Sequence, residues 1–393
     1  LNGLAAHKFN RNEFAGSLGD LGTLLPLTIA LVLINSVPLA TTLLVIGAFY
    51  LFSGLYYRLP IPVQPLKVVA AVAIAAQLPV ETVAASGLIL GVILLVLAAT
   101  GAIDLVAKIF TRPIVRGIQL GLGLILMIKG VQFIAAPELV LNGPAVAAWL
   151  NPAVGIIGAF IALFFLENRR FPAALLLLGF GIVISLVAGE RMPLGDLGGG
   201  LAIITPDFSH YGSAFFLLVL PQLPLTIGNA IISTRDVAVA KFGTEKSARV
   251  TLKTLLTSMG ITGLITGAVG AMPLCHGAGG LAAHYRFGAR TGGSNLIIGV
   301  IFVLLAVVFG DQALYVLTLI PKGVLGVLLF FAGLELARMI GDTTEKLALL
   351  TALSVAGVSV ATNNMGIGVL VGLAMQGTLM LIQRLALTGN DQN

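Results

Sequence analysis

The sequence predicts an all-α polytopic membrane protein of 14 transmembrane segments, built as a 7+7 inverted repeat in which segments 3 and 10 are broken half-helices. Three observations predict it: an extreme apolar composition, a one-sided distribution of basic residues, and a weak internal repeat.

Of 393 residues, 58% are hydrophobic and 10% charged, against about 25% charged in soluble domains. Mean hydropathy is +1.06. So few charges cannot cover the surface of a soluble protein of this size, which excludes a soluble enzyme or a nucleic-acid-binding protein. The single cysteine, Cys275, allows no internal disulfide. Forty-eight glycines and 17 prolines suit close-packed and broken membrane helices.

A spanning helix needs about 20 mostly apolar residues. Such runs occur at 14–34, 38–57, 62–77, 83–100, 113–135, 151–167 and 172–189. They occur again at 211–233, 250–269, 272–285, 293–309, 313–333, 347–361 and 366–384. The third and tenth are short. One opens with Pro60, Pro62 and Pro65, the other with Pro273 and the run Gly277–Gly280, so neither can start as regular helix. The chain begins at Leu1 rather than Met, so a trimmed start is expected. The polar first 13 residues, with Lys8 and Arg11, predict no cleavable signal peptide.

With the N-terminus in the cytoplasm, 18 of the 22 Lys and Arg fall on the inner side. Only Arg191 falls outside, and Lys67, Lys129 and Lys322 lie within segments. This asymmetry predicts both termini in the cytoplasm. The net charge of +6 is therefore a topology signal, and the basic cluster at 235–253 is expected to face anionic lipid rather than nucleic acid.

Residues 13–20 match 222–229 in the pattern [EQ]-x-x-x-[ST]-[LI]-G-[DN], at an offset of 209. Pro62-Val63-Gln64 matches Pro273-Leu274-Cys275 at 211, and Pro113 before Arg116-Gly117 resembles Pro321 before Lys322-Gly323 at 208. The motif LPLTI at 25–29 and 223–227 gives a discordant 198 and is set aside as chance. A common offset near 210 puts seven segments in each repeat, 12–200 and 205–386, and an odd number inverts the second.

The inversion makes the two half-helices start near the midplane, N-terminus toward N-terminus. Each end offers unpaired N–H groups and about half a positive charge, and bare N–H groups are costly in lipid. The natural guest is an anion. Pro65, Leu66, Gly277 and Ala278 frame the two ends. Lys67 would supply the further charge a dianion needs, or would pair with Asp20. Gln64 can donate two hydrogen bonds. Gln222, Thr226 and Asn229 recur at three- and four-residue steps on one face, so they line the cavity or bond between helices. Asp20, the repeat mate of Asn229, couples a proton or cation, or neutralises Lys67. His276 contacts the ligand or packs the break, and Cys275 is placed among the substrate-binding residues as packing rather than chemistry.

Glu13 is expected as a solvated end near the inner entrance, and His284, Arg286 and Arg290 as interfacial anchors or gate salt bridges. Lys129 and Lys322 snorkel or pair. Gly117, Gly121 and Gly123 mark a packing face. No metal-ligand spacing, phosphate loop or nucleophile with an adjacent base occurs, so no enzyme, no metal and no cofactor are expected. HGAGG lacks the serine elbow and acid of a hydrolase.

NEFAGSLGDLGTLLPL (12–27), PVQPLK (62–67), PQLPLTIGNAIISTRD (221–236) and PLCHGAGGLAAHYRFGARTGG (273–293) resemble the signature blocks of the molybdate transporter family related to sulfate permeases. The resemblance runs from about 12 to 384. It implies a fold shared with uracil permeases, with a core of segments 1–4 and 8–11 and a gate of segments 5–7 and 12–14. It implies molybdate as substrate, a homodimer in the cell (inner) membrane, and no cytoplasmic regulatory domain. A sulfate or bicarbonate carrier of the same fold, or an anion channel, remains the alternative. A nucleobase permease would carry carboxylates where Gln222, Asn229 and His276 stand.

Overall fold

The computed structural model describes residues 7–165, 168, 173–189, 201–310 and 312–390. Arg169, Arg170 and Arg191 of the charge count, and the repeat boundary at 200, lie outside the described residues.

The chain is a mostly helical membrane protein. Among the described residues, eight helices are long and apolar enough to cross a bilayer: Arg11–Asn35, Leu39–Tyr57, Val80–Thr100, Arg112–Ile134, Ser209–Phe242, Leu252–Val269, Lys322–Asp342 and Met365–Ile382. Shorter apolar helices are Lys67–Ala76, Leu150–Phe165, Ala173–Val187, Gly293–Phe309 and Lys346–Thr362.

Segment 3 enters as extended chain, forms the two-residue strand Gln64–Pro65, and becomes helical at Lys67. Segment 10 likewise forms the strand Leu274–Cys275 and then the helix Ala278–Arg286. The strands pair antiparallel, Gln64 opposite Cys275 and Pro65 opposite Leu274. Prolines cause the breaks, because Pro62, Pro65 and Pro273 lack the N–H an interior helical residue donates. The stripped backbone finds partners across the molecule. Ser53 and Asn295 donate to the Ile61 carbonyl at 2.8 and 2.6 Å. His276 donates to Pro62 at 2.8 Å, and Tyr50 to Val63 at 3.1 Å.

Three segments differ from expectation. The first, expected as one run at 14–34, is broken at 18–20 into Arg11–Ser17 and Leu21–Asn35. The eighth segment runs as one helix, Ser209–Phe242, with π turns at Ala214–Val219 and Thr226–Ile232 on either side of Pro221 and Pro224. Proline inside a helix removes a ladder bond, and wider turns absorb the fault. The twelfth segment starts late. A short helix, Gln312–Thr318, precedes Lys322–Asp342, whose N-cap is Pro321. The apolar run is continuous across this break, so hydropathy alone misses it.

Helix Arg112–Ile134 packs on Lys322–Ala337, Val80–Thr100 on Leu252–Val269, and Leu39–Tyr57 on Gly293–Leu304. Glycine makes the first contact close: a Cβ on Gly130 would collide with the Gly326 carbonyl, and one on Gly326 with the Gly130 carbonyl. Arg112 and Arg116 pair with Asp342 at one end of this helix pair. At the other end Lys322 meets Glu138 at 2.7 Å. That bond holds the Glu138 carboxyl below its ordinary range. Lys129 lies over the Phe133 ring, 5.3 Å from its centroid.

Gly130→Ala and Gly326→Ala should each destabilise by about 1–3 kcal/mol through overpacking. Gly357→Ala, inside helix Lys346–Thr362 with no neighbour within 4 Å of the added carbon, should instead stabilise by up to about 1 kcal/mol through helix propensity. Thermal unfolding of the detergent-purified variants checks both.

Candidate anion-binding site

The strand pair brings the two half-helix N-termini side by side. Leu66 N–H donates to the Pro273 carbonyl at 3.0 Å, and the Cys275 thiol lies 3.6 Å from the Pro65 carbonyl. Cys275 is buried and packs the crossing.

Asp20, Gln64 and Lys67 form a chain beside these ends. The Gln64 amide donates to both Asp20 oxygens at 2.7 Å. Its carbonyl accepts from Lys67 Nζ at 2.7 Å. Asp20 stands at the break between helices Arg11–Ser17 and Leu21–Asn35, in the N-cap position of the second, yet does not cap it. Its carboxylate turns instead to Gln64. Gly277 and Gly280 permit this: a Cβ on Gly277 would collide with Gln64 Oε1, and one on Gly280 would crowd Asp20 and Gln64. The glycines let a carboxylate and an amide lie against the second half-helix, where the dipole favours negative charge.

The two termini are unequal. Gln222 Oε1 accepts from the Val68 and Val69 N–H groups at 2.8 and 3.3 Å, closing the first half-helix. Gln222 Nε2 donates to Thr226 Oγ1 at 2.9 Å. The second half-helix has Gly277 at its N-cap and no side-chain cap. Gly279 is exposed there, Ala278 and Lys67 are half-buried, and Asp20, Gln64 and Gln222 are buried. Access thus reaches the uncapped terminus and the lysine.

The structure therefore brings Asp20, Gln64, Pro65, Leu66, Lys67, Gln222, Thr226, Cys275, Gly277 and Ala278 to one place. Asn229 is half-buried farther along the same helix. The step from Thr226 to Asn229 runs through π turns, so the α-helical register that set Asn229 on the face of Gln222 does not apply. His276 turns away. Its Nδ1 donates to Pro62, its Nε2 lies 3.0 Å from the Ser258 hydroxyl, and its ring lies between Phe49 and Tyr57 at 4.9 and 5.5 Å. It pins the two extended segments to helices Leu39–Tyr57 and Leu252–Val269. Among the described residues no cluster of three His, Cys, Asp or Glu could hold a metal.

Glu13 is not solvated but buried. Its Oε1 accepts from the N–H groups of Arg290 and Thr291 and from the Thr291 hydroxyl, each at 3.0 Å. His284 is buried too, with Nδ1 2.7 Å from the Gly16 carbonyl. Both tie the first segment to the second half-helix and the turn after it. Sequence reasoning missed Ser53, Ser258 and Asn295, and read Gly280 only as part of the break. The only signal was a polar residue, or a glycine, within an apolar run.

This fold is shared with solved anion transporters. The transmembrane domain of a cyanobacterium bicarbonate transporter, BicA, superposes with a TM-score of 0.68 at 17% identity, covering 91% of this chain and 97% of that one. Murine Solute Carrier 26 family member A9, solved in the inward-facing state, gives 0.73 at 15% identity, covering 97% and 70%. At such identities the likeness concerns the fold. The profile described as molybdate transporter of the MFS superfamily matches residues 12–126 and 214–336. Molybdate transporter 2 of Arabidopsis thaliana is 33% identical over 94% of this chain and 87% of its own length. Molybdate transporter 1 of Chlamydomonas reinhardtii is 31% identical over 92% and 90%. The chain belongs to the molybdate transporter family.

His276→Ala should leave the Pro62 carbonyl short of a partner and destabilise the fold by about 1–3 kcal/mol. Thermal unfolding without ligand should show the loss; an unchanged midpoint would contradict the pinning role.

Proposed function

We propose that this protein carries molybdate across the cell (inner) membrane by alternating access, with the anion held where the two half-helices meet. The observation that carries this is the convergence of two half-helix N-termini on Lys67, with one terminus uncapped and accessible. The two ends give about one positive charge, and Lys67 adds one more. Asp20, joined to Lys67 through Gln64, offsets its charge and marks a place for charge balance or coupling. A tetrahedral dianion can take hydrogen bonds from the Ala278 and Gly279 amides and from Lys67, with Gln64, Gln222 and Thr226 around it. Family membership and the molybdate transporters among its relatives favour molybdate over other oxyanions.

Fourteen crossings and a 7+7 inverted repeat fit the packing. Under an offset near 210, segment 2 is the mate of 9, segment 4 of 11, and segment 5 of 12. Helices of segments 2 and 11 pack together, as do those of 4 and 9, and of 5 and 12. These pairs exchange under a two-fold operation. The strand register supports the same axis, because Gln64 faces Cys275, its own mate at 211. Segments 1–4 and 8–11 would then form a core that moves against a gate of 5–7 and 12–14. The first repeat would occupy 12–200 and the second 205–386, with both termini in the cytoplasm. A homodimer surrounded by lipid is the proposed assembly.

The relation of fold to a bicarbonate transporter makes a sulfate or bicarbonate carrier the second reading. Uptake of radiolabelled molybdate into proteoliposomes, with each anion as competitor, separates them. Saturable uptake that excess sulfate and bicarbonate fail to displace is expected; stronger competition by either anion than by unlabelled molybdate would reassign the substrate. Lys67→Ala should weaken molybdate binding by about 1–3 kcal/mol, the loss of a charge-assisted contact. Wild-type affinity in that variant, measured by calorimetry, would remove Lys67 from the site.

A further inference from the structure

We infer that the Gln222 side-chain oxygen is a tethered stand-in for an oxyanion oxygen, which molybdate must displace to engage the first half-helix. The inference rests on the site proposed above and assigns Gln222 a role opposite to that of a ligand donor. It would make Gln222 a residue that sets affinity by competition.

The geometry is specific. Val68 and Val69 lie in the first turn of helix Lys67–Ala76 and have no helical carbonyl to reach. One oxygen, Gln222 Oε1, takes both N–H groups at 2.8 and 3.3 Å. It arrives from 154 residues away in sequence, on a helix whose side chain there is 2% exposed. The amide is steadied from behind by Thr226. An oxygen of a bound anion that used the same N–H groups would need the same position, so the two cannot coexist.

A neutral amide suits this role. Bare N–H groups at membrane depth are costly, so the empty site needs an occupant between transport cycles. An amide oxygen carries only a partial charge, whereas hydrogen bonds to an ionised acceptor are roughly twice as strong. The dianion therefore wins the exchange, yet gains only the difference. A carboxylate at position 222 would hold the terminus too firmly and would repel the anion as well. The surrounding helix is built to yield. Residues 220–225 lie between two π turns and include two prolines, and such turns recur at functional sites. The other terminus has no such cap, so the anion can dock there and on Lys67 before Gln222 leaves.

Sign distinguishes this from a structural or donor role. Gln222→Met keeps the bulk of the side chain and removes the competing oxygen. Molybdate binding to the purified full chain, measured by calorimetry, should tighten by about fivefold, the release of one capping contact. The unfolding midpoint of the ligand-free variant should fall. A purely structural cap would lower both stability and affinity, and a ligand donor would lower affinity alone; weaker or unchanged molybdate binding in Gln222→Met overturns the inference. If that variant fails to fold, Gln222→Leu, which also removes the competing oxygen, decides by the same sign: tighter molybdate binding is expected, and unchanged or weaker binding overturns the inference. Absence of molybdate binding in the wild type would instead overturn the proposed function.

Discussion

Everything at the centre of this protein depends on one constraint: backbone that leaves the helix inside a membrane must find partners within the protein. Prolines at 62, 65 and 273 force two segments out of helix. The two stretches solve part of the problem by pairing with each other, Gln64 with Cys275 and Pro65 with Leu274. Their remaining carbonyls draw Ser53, Asn295 and Tyr50 from neighbouring helices, and His276 of the second stretch donates to Pro62 of the first. The same pairing places two helix N-termini side by side, where their dipoles add rather than cancel. A site for negative charge follows from the way the chain satisfies its own backbone.

The polar groups around that site divide into two kinds. Asn295, Ser53, Ser258, Glu13 and His284 fix elements to one another and leave the pocket alone. Asp20, Gln64, Lys67 and Gln222 occupy it. In the second group each negative or partly negative oxygen faces a donor that an oxyanion would also seek: Lys67 Nζ faces Gln64, and the Val68 and Val69 amides face Gln222. Asp20 lies against Gly280 because glycine leaves room for it. The Lys67 ammonium and the amides of the first half-helix are thus satisfied by side chains, while the second half-helix keeps no side-chain cap.

The interruptions were legible because proline and glycine act locally, and the apolar runs because the bilayer imposes a length. The late start at Lys322 was not, since residues 313–320 are as apolar as the helix that follows and only Pro321 marks the break. Gln64, Lys67, Gln222 and Thr226 could be nominated from their position near the breaks. Their bonds could not, because Gln222 reaches Val68 across 154 residues and Gln64 reaches Asp20 across 44. The spacing that grouped Asn229 with Gln222 assumed an α-helix, and π turns set by Pro221 and Pro224 changed the register. Glu13 looked like a solvated terminus because its partners, Arg290 and Thr291, are far away in sequence.

The most direct test is the position of the metal atom of the substrate itself. Molybdenum scatters anomalously, so crystals grown with molybdate locate it without reference to side-chain density. The account predicts one strong peak between Lys67 and the Ala278–Gly279 turn, within hydrogen-bonding reach of both through the anion's oxygens. A strong peak elsewhere in the membrane region, with none between the half-helices, would contradict it.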